Sequence, residues 1–170
     1  LVSGSGDDVY MIGKMAAFQM QGLLVAYKER FDKDNFIKNL LLDNLLLVDI
    51  YSRAKKLHIP TDVRRVAIIV ETTAVKDNNV LESIRTLFGS GNNDFITSVD
   101  ENNVIVVKEL QENDGPKEID KVAKNILTFL NKEGITDVRV SYGTTVGEIK
   151  EVSRSYKEAK MALDVGKVFF

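Results

Sequence analysis

The stretch Arg65–Thr72 constrains the fold most, because its five consecutive residues 66–70 are all apolar and lie between the charged residues Arg65 and Glu71. A strand with one exposed face alternates apolar and polar residues, whereas a strand covered on both faces is continuously apolar. The pattern therefore predicts a central strand that is buried on both sides.

Six further elements are predicted after this strand. They are a helix at Asn78–Phe88, strands at Asp94–Val99 and Val104–Val107 joined as a hairpin by residues 100–103, a helix at Lys117–Glu133, a strand at Asp137–Gly143 and a helix at Val146–Lys167. The order strand, helix, strand, strand, helix, strand, helix is typical of a split βαβ sheet. We therefore expect a ferredoxin-like α+β fold with an antiparallel sheet and with helices on one face.

Helices are also predicted before the central strand. The first runs from Val9 to Phe31, a second begins at Asn35 with Asp34 as its N-cap, and a third piece, Leu45–Leu57, follows a break at Asp43. The apolar faces of the first helix and of residues 40–48 are interpreted as contact surfaces for a second subunit or domain. The alternative is that the first helix packs on the main core.

Composition narrows the class of protein. A chain of 170 residues with 44% hydrophobic and 28% charged residues predicts one globular core rather than a disordered or membrane protein. The absence of cysteine excludes disulfides and cysteine-based zinc sites, and it fits a cytoplasmic location. A net charge of -2 argues against an extended nucleic-acid surface. Because the first residue is leucine, we expect a fragment of a longer protein.

Two groups of residues resemble a known family. The closing segment has Tyr142-Gly143, Arg154-Ser155-Tyr156 and Glu158-Ala159 at the spacing found in the GGDEF-like domain of CdaR/PucR-type sugar-diacid regulators, and the segment from Phe36 to Ile59 is similar to the start of that domain. In this second segment Asp43 and His58 stand where glycines are usual in the family. The single histidine is interpreted as a helix-end residue rather than a catalytic one.

The resemblance implies domain boundaries, and it indicates the positions at which a catalytic relative carries metal-binding acids. Residues 1–33 would be the end of an upstream sensory domain with its connecting helix, residues 34–63 linker helices, and residues 64–170 a degenerate GGDEF-like domain related to the nucleotide-cyclase palm. Active relatives hold divalent metal and a triphosphate with acids at the first strand end and on the hairpin. Here the candidates are Glu71, Asp100 and Glu101, but Asp100-Glu101-Asn102-Asn103 replaces the glycine-containing motif, and Thr73 replaces a second acid.

We therefore interpret the hairpin residues as turn formers and expect no catalytic residue, no cofactor and no bound metal. What the resemblance implies is a non-catalytic relay and dimerisation domain of a bacterial transcription regulator. A small effector such as a sugar diacid would bind the upstream domain, and DNA would be contacted only by a helix-turn-helix domain beyond Phe170. The alternative is a diverged nucleotide-binding or nucleotide-cyclase-like domain.

Overall fold

The computed structural model describes the backbone of residues 6–73, 80–89 and 93–166, with side chains described from residue 19 onward and at Lys14. Its helices and strands are α1 (Gly6–Leu41), α2 (Leu47–Lys56), β1 (Arg65–Thr72), α3 (Val80–Phe88), β2 (Phe95–Ser98), β3 (Asn103–Glu109), α4 (Pro116–Lys132), β4 (Val138–Tyr142) and α5 (Val152–Asp164). This order confirms the predicted α+β fold with preceding helices.

The four strands form one antiparallel sheet in the order β2-β3-β1-β4. The strand β1 lies inside the sheet, and its residues from Arg65 to Val70 are all buried, as the continuous apolar run predicts. The hairpin of β2 and β3 also forms as predicted, with Ser98 paired to Val104 at its closed end. The ferredoxin-like strand order is therefore confirmed.

The prediction that helices cover one face of the sheet is wrong. One buried cluster joins α3 and α4 to β1 residues such as Ile68 and Val70. A second cluster joins α2, α5 and the end of α1 to the opposite side of β1, at Ala67 and Ile69. Since both faces of the central strands are apolar, each needs its own helical layer to exclude water.

The helix α1 differs from its prediction, because it continues without interruption through Asp34 to Leu41. The Asp34 carboxylate does not cap a new helix but accepts a hydrogen bond from Arg85 on α3, at 2.8 Å. The predicted break after this helix is confirmed, since Asp43 has a φ of 57°. The sequence also predicts a strand end and a turn over Val2–Asp8; residues 1–5 lie outside the described part of the chain, and Gly6–Asp8 belong to α1.

The two ends of α1 have different surroundings. Near its C-terminus Phe36, Ile37, Leu40 and Leu41 are at most 2% exposed and belong to the core. Every residue from Gln19 to Phe31 is exposed. The alternative that this part of the helix packs on the main core is therefore wrong, and part of the segment 40–48 that was interpreted as a contact surface is core instead. Among the described residues, no helix has the length and apolarity needed to cross a membrane.

The helix α5 begins later than predicted. Instead of opening a helix, Val146 forms an isolated antiparallel bridge with Arg65, with N–O distances of 2.9 and 2.8 Å. A single 3₁₀ turn at Ile149–Glu151 then leads into α5. The helical spacing predicts five apolar side chains on one side, and all are buried in one cluster: Ile149, Val152, Tyr156, Ala159 and Leu163. The 3₁₀ turn places Ile149 in the same apolar layer as the helix residues.

Candidate functional site

The end of β1 is the place where the sequence predicts acids that could bind a metal. In the sheet, Glu71 lies between Asn103 on β3 and Arg139 on β4. Arg139 Nε donates a hydrogen bond to Glu71 Oε1 at 2.8 Å, and a second guanidinium nitrogen contacts the same oxygen. The Glu71 side chain is only 19% exposed. Its charge is therefore balanced within the sheet, and a metal ion would have to compete with the guanidinium.

The neighbouring strand end is closed by another polar contact. Thr73 Oγ1 donates a hydrogen bond to the Asp137 carboxylate just before β4. The backbone N–H of Thr72 donates to the carbonyl of Asn102 at 2.9 Å. Together these bonds attach the end of β1 to the segments that flank both of its neighbouring strands.

The Asp100 carboxylate organises the hairpin turn. Its Oδ1 accepts hydrogen bonds from the backbone N–H groups of Asn102 and Asn103, at 2.8 and 2.9 Å. The Asn103 amide donates to both carboxylate oxygens, at 3.0 and 2.9 Å. Ser98 Oγ donates to the Asp100 carbonyl at 2.6 Å. This is an Asx-type turn, in which the side chain takes over the hydrogen bonds of a backbone turn.

The electrostatics of Asp100 agree with this geometry. Partial burial by itself would raise the pKa of the Asp100 carboxyl, but the hydrogen bonds from Asn103 and Asn102 outweigh it and lower the pKa below its ordinary value of 3.8. The third candidate, Glu101, is exposed at the tip of the hairpin. Across the described residues, no group of three or more acidic or histidine side chains is arranged to hold a metal ion. The expectation of no bound metal stays a prediction.

Arg139, which neutralises Glu71, is a site residue that no sequence pattern predicts. The signal that could have found it is register: once β1 and β4 are paired antiparallel, residues directly opposite each other can form a charge pair. That register is a tertiary property, and no pattern within β4 alone indicates it.

The junction of β4 with α5 explains the residues that carry the family resemblance. A Cβ atom at Gly143 would overlap the carbonyl oxygen of Ser155 and lie 2.7 Å from its carbonyl carbon. Ser155 is fully buried, its Oγ accepts the backbone N–H of Ala67 at 3.0 Å, and it donates to the Thr144 carbonyl at 2.7 Å. Glycine and serine at these two positions therefore let the backbone of α5 lie directly against the sheet.

The two positions where the family usually has glycine also have a physical explanation. Asp43 and His58 both adopt a φ of 57°, in the left-handed region that favours glycine. At the end of α2, the N–H groups of Leu57, His58 and Ile59 bond to carbonyls of the last helical turns, at 2.9, 3.2 and 2.9 Å. His58 thus ends the helix through its backbone conformation, and its imidazole is exposed.

A cleft of about 570 Å³ lies between α1, α3 and the start of β2. On its α1 side are Ala26, Glu29, Arg30 and Lys33. Arg85 of α3 bridges the two helices, because it donates to Asp34 of α1 and to Glu82 of its own helix, at 2.8 Å each. Partial burial raises the pKa of the Asp34 carboxyl, although Arg85 and Arg30 act in the opposite direction. The cleft is remote from Glu71 in the sheet, since it opens at the edge strand β2 rather than at the end of β1.

Comparison with known proteins gives one family. A family model described as the GGDEF-like domain matches residues 44–165. Searches of the curated proteins and of the solved structures found no matching chain.

Proposed function

This chain belongs to the GGDEF-like domain family, and on that premise we propose that it is a non-catalytic signal-relay domain of a bacterial transcription regulator of the CdaR/PucR type. In this proposal the protein is cytoplasmic and acts as a homodimer. A small effector, such as a sugar diacid, binds an upstream domain, and a C-terminal helix-turn-helix domain contacts DNA.

The non-catalytic part of the proposal is supported by one observation: the carboxylates near the end of β1 already have partners within the domain. Glu71 is paired with Arg139, and Asp100 accepts four hydrogen bonds from the two residues Asn102 and Asn103. Magnesium keeps several waters and needs carboxylates that are open to a phosphate ligand. Binding at this site would therefore break bonds that stabilise the sheet and its hairpin.

The relay part is supported by the way in which the first and last helices share one core. The buried end of α1, from Phe36 to Leu41, belongs to the same cluster as Tyr156 and Leu163 of α5. Lys157 of α5 also forms an ion pair with Asp43 in the turn after α1. A packed core transmits displacements because it resists compression. A rotation or tilt of α1 would therefore reach α5, the last helix among the described residues.

Calorimetric titration with GTP and with ATP, each with excess Mg²⁺, tests the non-catalytic part. We expect no binding heat and no nucleotide product by chromatography, because the strand-end carboxylates already have partners. Glu71→Ala is the matched variant. Measurable affinity in the unsubstituted protein that is lost in Glu71→Ala would favour the alternative, a diverged nucleotide-binding or nucleotide-cyclase-like domain.

The relay part is tested by measuring transcription from a promoter that the full-length protein regulates, with and without effector. Replacing Lys157 by Met removes the ion pair with Asp43 but keeps the length of the side chain. We expect effector binding to remain while the transcriptional response to effector decreases. An unchanged response would argue against this ion pair as part of the relay.

A further inference from the structure

The exposed part of α1 has a row of large apolar side chains that no described element covers. We define the α1 seam as Met20, Leu24, Tyr27 and Phe31, which are 59% to 73% exposed. Their spacing of four, three and four residues is the a/d spacing of a coiled coil. The homodimer of the proposed function does not by itself say which surface forms it.

The seam faces away from the rest of the domain. At about 100° per residue, Ala26, Glu29, Arg30 and Lys33, which line the cleft on the body side, lie on the other side of the helix from the seam. Another helix can therefore approach the seam without meeting α3 or the sheet. Since helices without a packing partner are marginal in water, a helix exposed on every side from Gln19 to Phe31 also needs such a partner.

The amount of apolar surface fits a second copy of the same helix. Four large side chains, flanked by the 73% exposed Leu23, remove roughly 500 Å² from water on each partner when two seams pack together. A second exposed group lies at the base of α1, where Leu42, Leu46, Leu47 and Val48 are 43% to 78% exposed. The seam with Leu23 by itself supplies more than half of the roughly 800 Å² per partner of a standard stable interface.

We propose that α1 pairs in parallel with α1 of a second copy of this chain through the α1 seam. This inference rests on the homodimer of the proposed function and names its surface. Parallel pairing places both domains at the same end of the helix pair. In this parallel pairing Lys28 lies opposite Leu23 of the other copy, and Arg30 lies opposite Asn35. Like charges therefore do not meet along the seam.

Single-cysteine crosslinking tests the surface, because the chain has no cysteine of its own. Leu24→Cys and Tyr27→Cys each place a thiol in the seam, and Val25→Cys is the matched control, since it is also exposed and apolar but lies about 100° around the helix. Under mild oxidation we expect covalent dimer from both seam variants and much less from the control. Equal crosslinking of all three variants would overturn the proposal, and crosslinking of only one seam position would overturn the parallel orientation.

Sedimentation of Leu24→Glu and Val25→Glu gives the second measurement. We expect Leu24→Glu to weaken dimerisation more than about tenfold, because it buries two unpaired carboxylates, and Val25→Glu to stay dimeric. Thermal unfolding serves as the control for correct folding. Because Leu24 and Val25 lie outside both core clusters, we expect both variants to keep a folded domain. A chain that is monomeric at high concentration, or a dimer that persists in Leu24→Glu, contradicts the seam. Neither result would support the alternative of a nucleotide-binding domain, because the titrations with GTP and ATP test that alternative separately.

Discussion

The junction of β4 with α5 and the hairpin end of the sheet differ in how tightly their sequences are constrained. At the junction, Gly143 and Ser155 are buried, and the backbones of the two elements are in direct contact. At the hairpin end, Asp100 bonds to its own neighbours, and Glu71 bonds across one strand pair in a partly exposed site. The difference indicates that this domain depends on its closing unit for folding, while its strand-end acids have local structural roles that other residues could fill.

Gly143→Ala should have the largest effect. The added methyl group overlaps the backbone carbonyl of Ser155. Because no side-chain rotation can relieve an overlap with a backbone atom, α5 must move away from the sheet. We expect a loss of unfolding free energy of about 3 kcal/mol or more, by analogy with overpacked cores. Chemical denaturation measures it. Gly147→Ala is the control, since no atom lies within 4 Å of its added methyl group. Equal stability of both variants would refute the close approach.

Ser155→Ala should follow. It removes the acceptor of the buried Ala67 N–H and leaves that group without its partner. The expected cost is about 2 kcal/mol, within the range for an unsatisfied buried donor. Ser52→Ala, at an exposed position of α2, serves as the control in the same denaturation experiment. A loss of only a few tenths of a kcal/mol at Ser155 would mean that the junction is less tightly packed than the structure describes.

Asp100→Ala tests the other region and should cost about 1 kcal/mol, because the turn loses several exposed hydrogen bonds. The effect should depend on pH. Since the folded pKa of Asp100 lies below its ordinary value of 3.8, the ionised carboxylate stabilises the fold above that value, and this contribution is lost as the pH falls through the folded pKa. The difference in unfolding free energy between the two proteins should therefore shrink below about pH 4. A difference that is constant from pH 7 to pH 3 would contradict this role.

His58→Gly should give the smallest effect, and with the opposite sign. Glycine relieves the cost of a positive φ but increases the entropy of the unfolded chain, so we expect a net gain of about 0.5 kcal/mol. Asp43→Gly should gain less, because it also loses the ion pair with Lys157. Thermal unfolding compares the two variants directly. A destabilised His58→Gly would show that the imidazole stabilises the fold in a way that its exposed position does not indicate.

The order of elements and the buried residues of α5 could be predicted from periodicity, because apolar spacing reports directly which side of an element faces a core. The second helical layer and the unbroken α1 could not. Both depend on tertiary contacts, such as the pair between Asp34 and Arg85, which override the local preference of aspartate for helix caps. For the same reason the sequence placed Glu71 at the strand end but did not reveal Arg139, whose position depends on strand register.

The resemblance at the two ends of the domain has a more local basis. Gly143 and Ser155 are separated by only twelve positions, and their contact is fixed by a short connection, so that a motif in the sequence can record it. Asp43 and His58, where glycine is usual, adopt the conformation that glycine favours. The departures from the family pattern therefore fall at positions whose backbone conformation favours glycine, and they leave the helix ends in place.

The central claim is that Glu71 holds the sheet through Arg139 and does not hold a metal ion with a nucleotide. Chemical denaturation of the unsubstituted protein and of Glu71→Gln, each with and without saturating GTP and Mg²⁺, tests it most directly. We expect Glu71→Gln to lose about 0.5 to 1 kcal/mol of unfolding free energy in both conditions, because the ion pair is only partly buried, and ligand to have no effect on either protein. Stabilisation of the unsubstituted protein by GTP and Mg²⁺ that disappears in Glu71→Gln would contradict the claim.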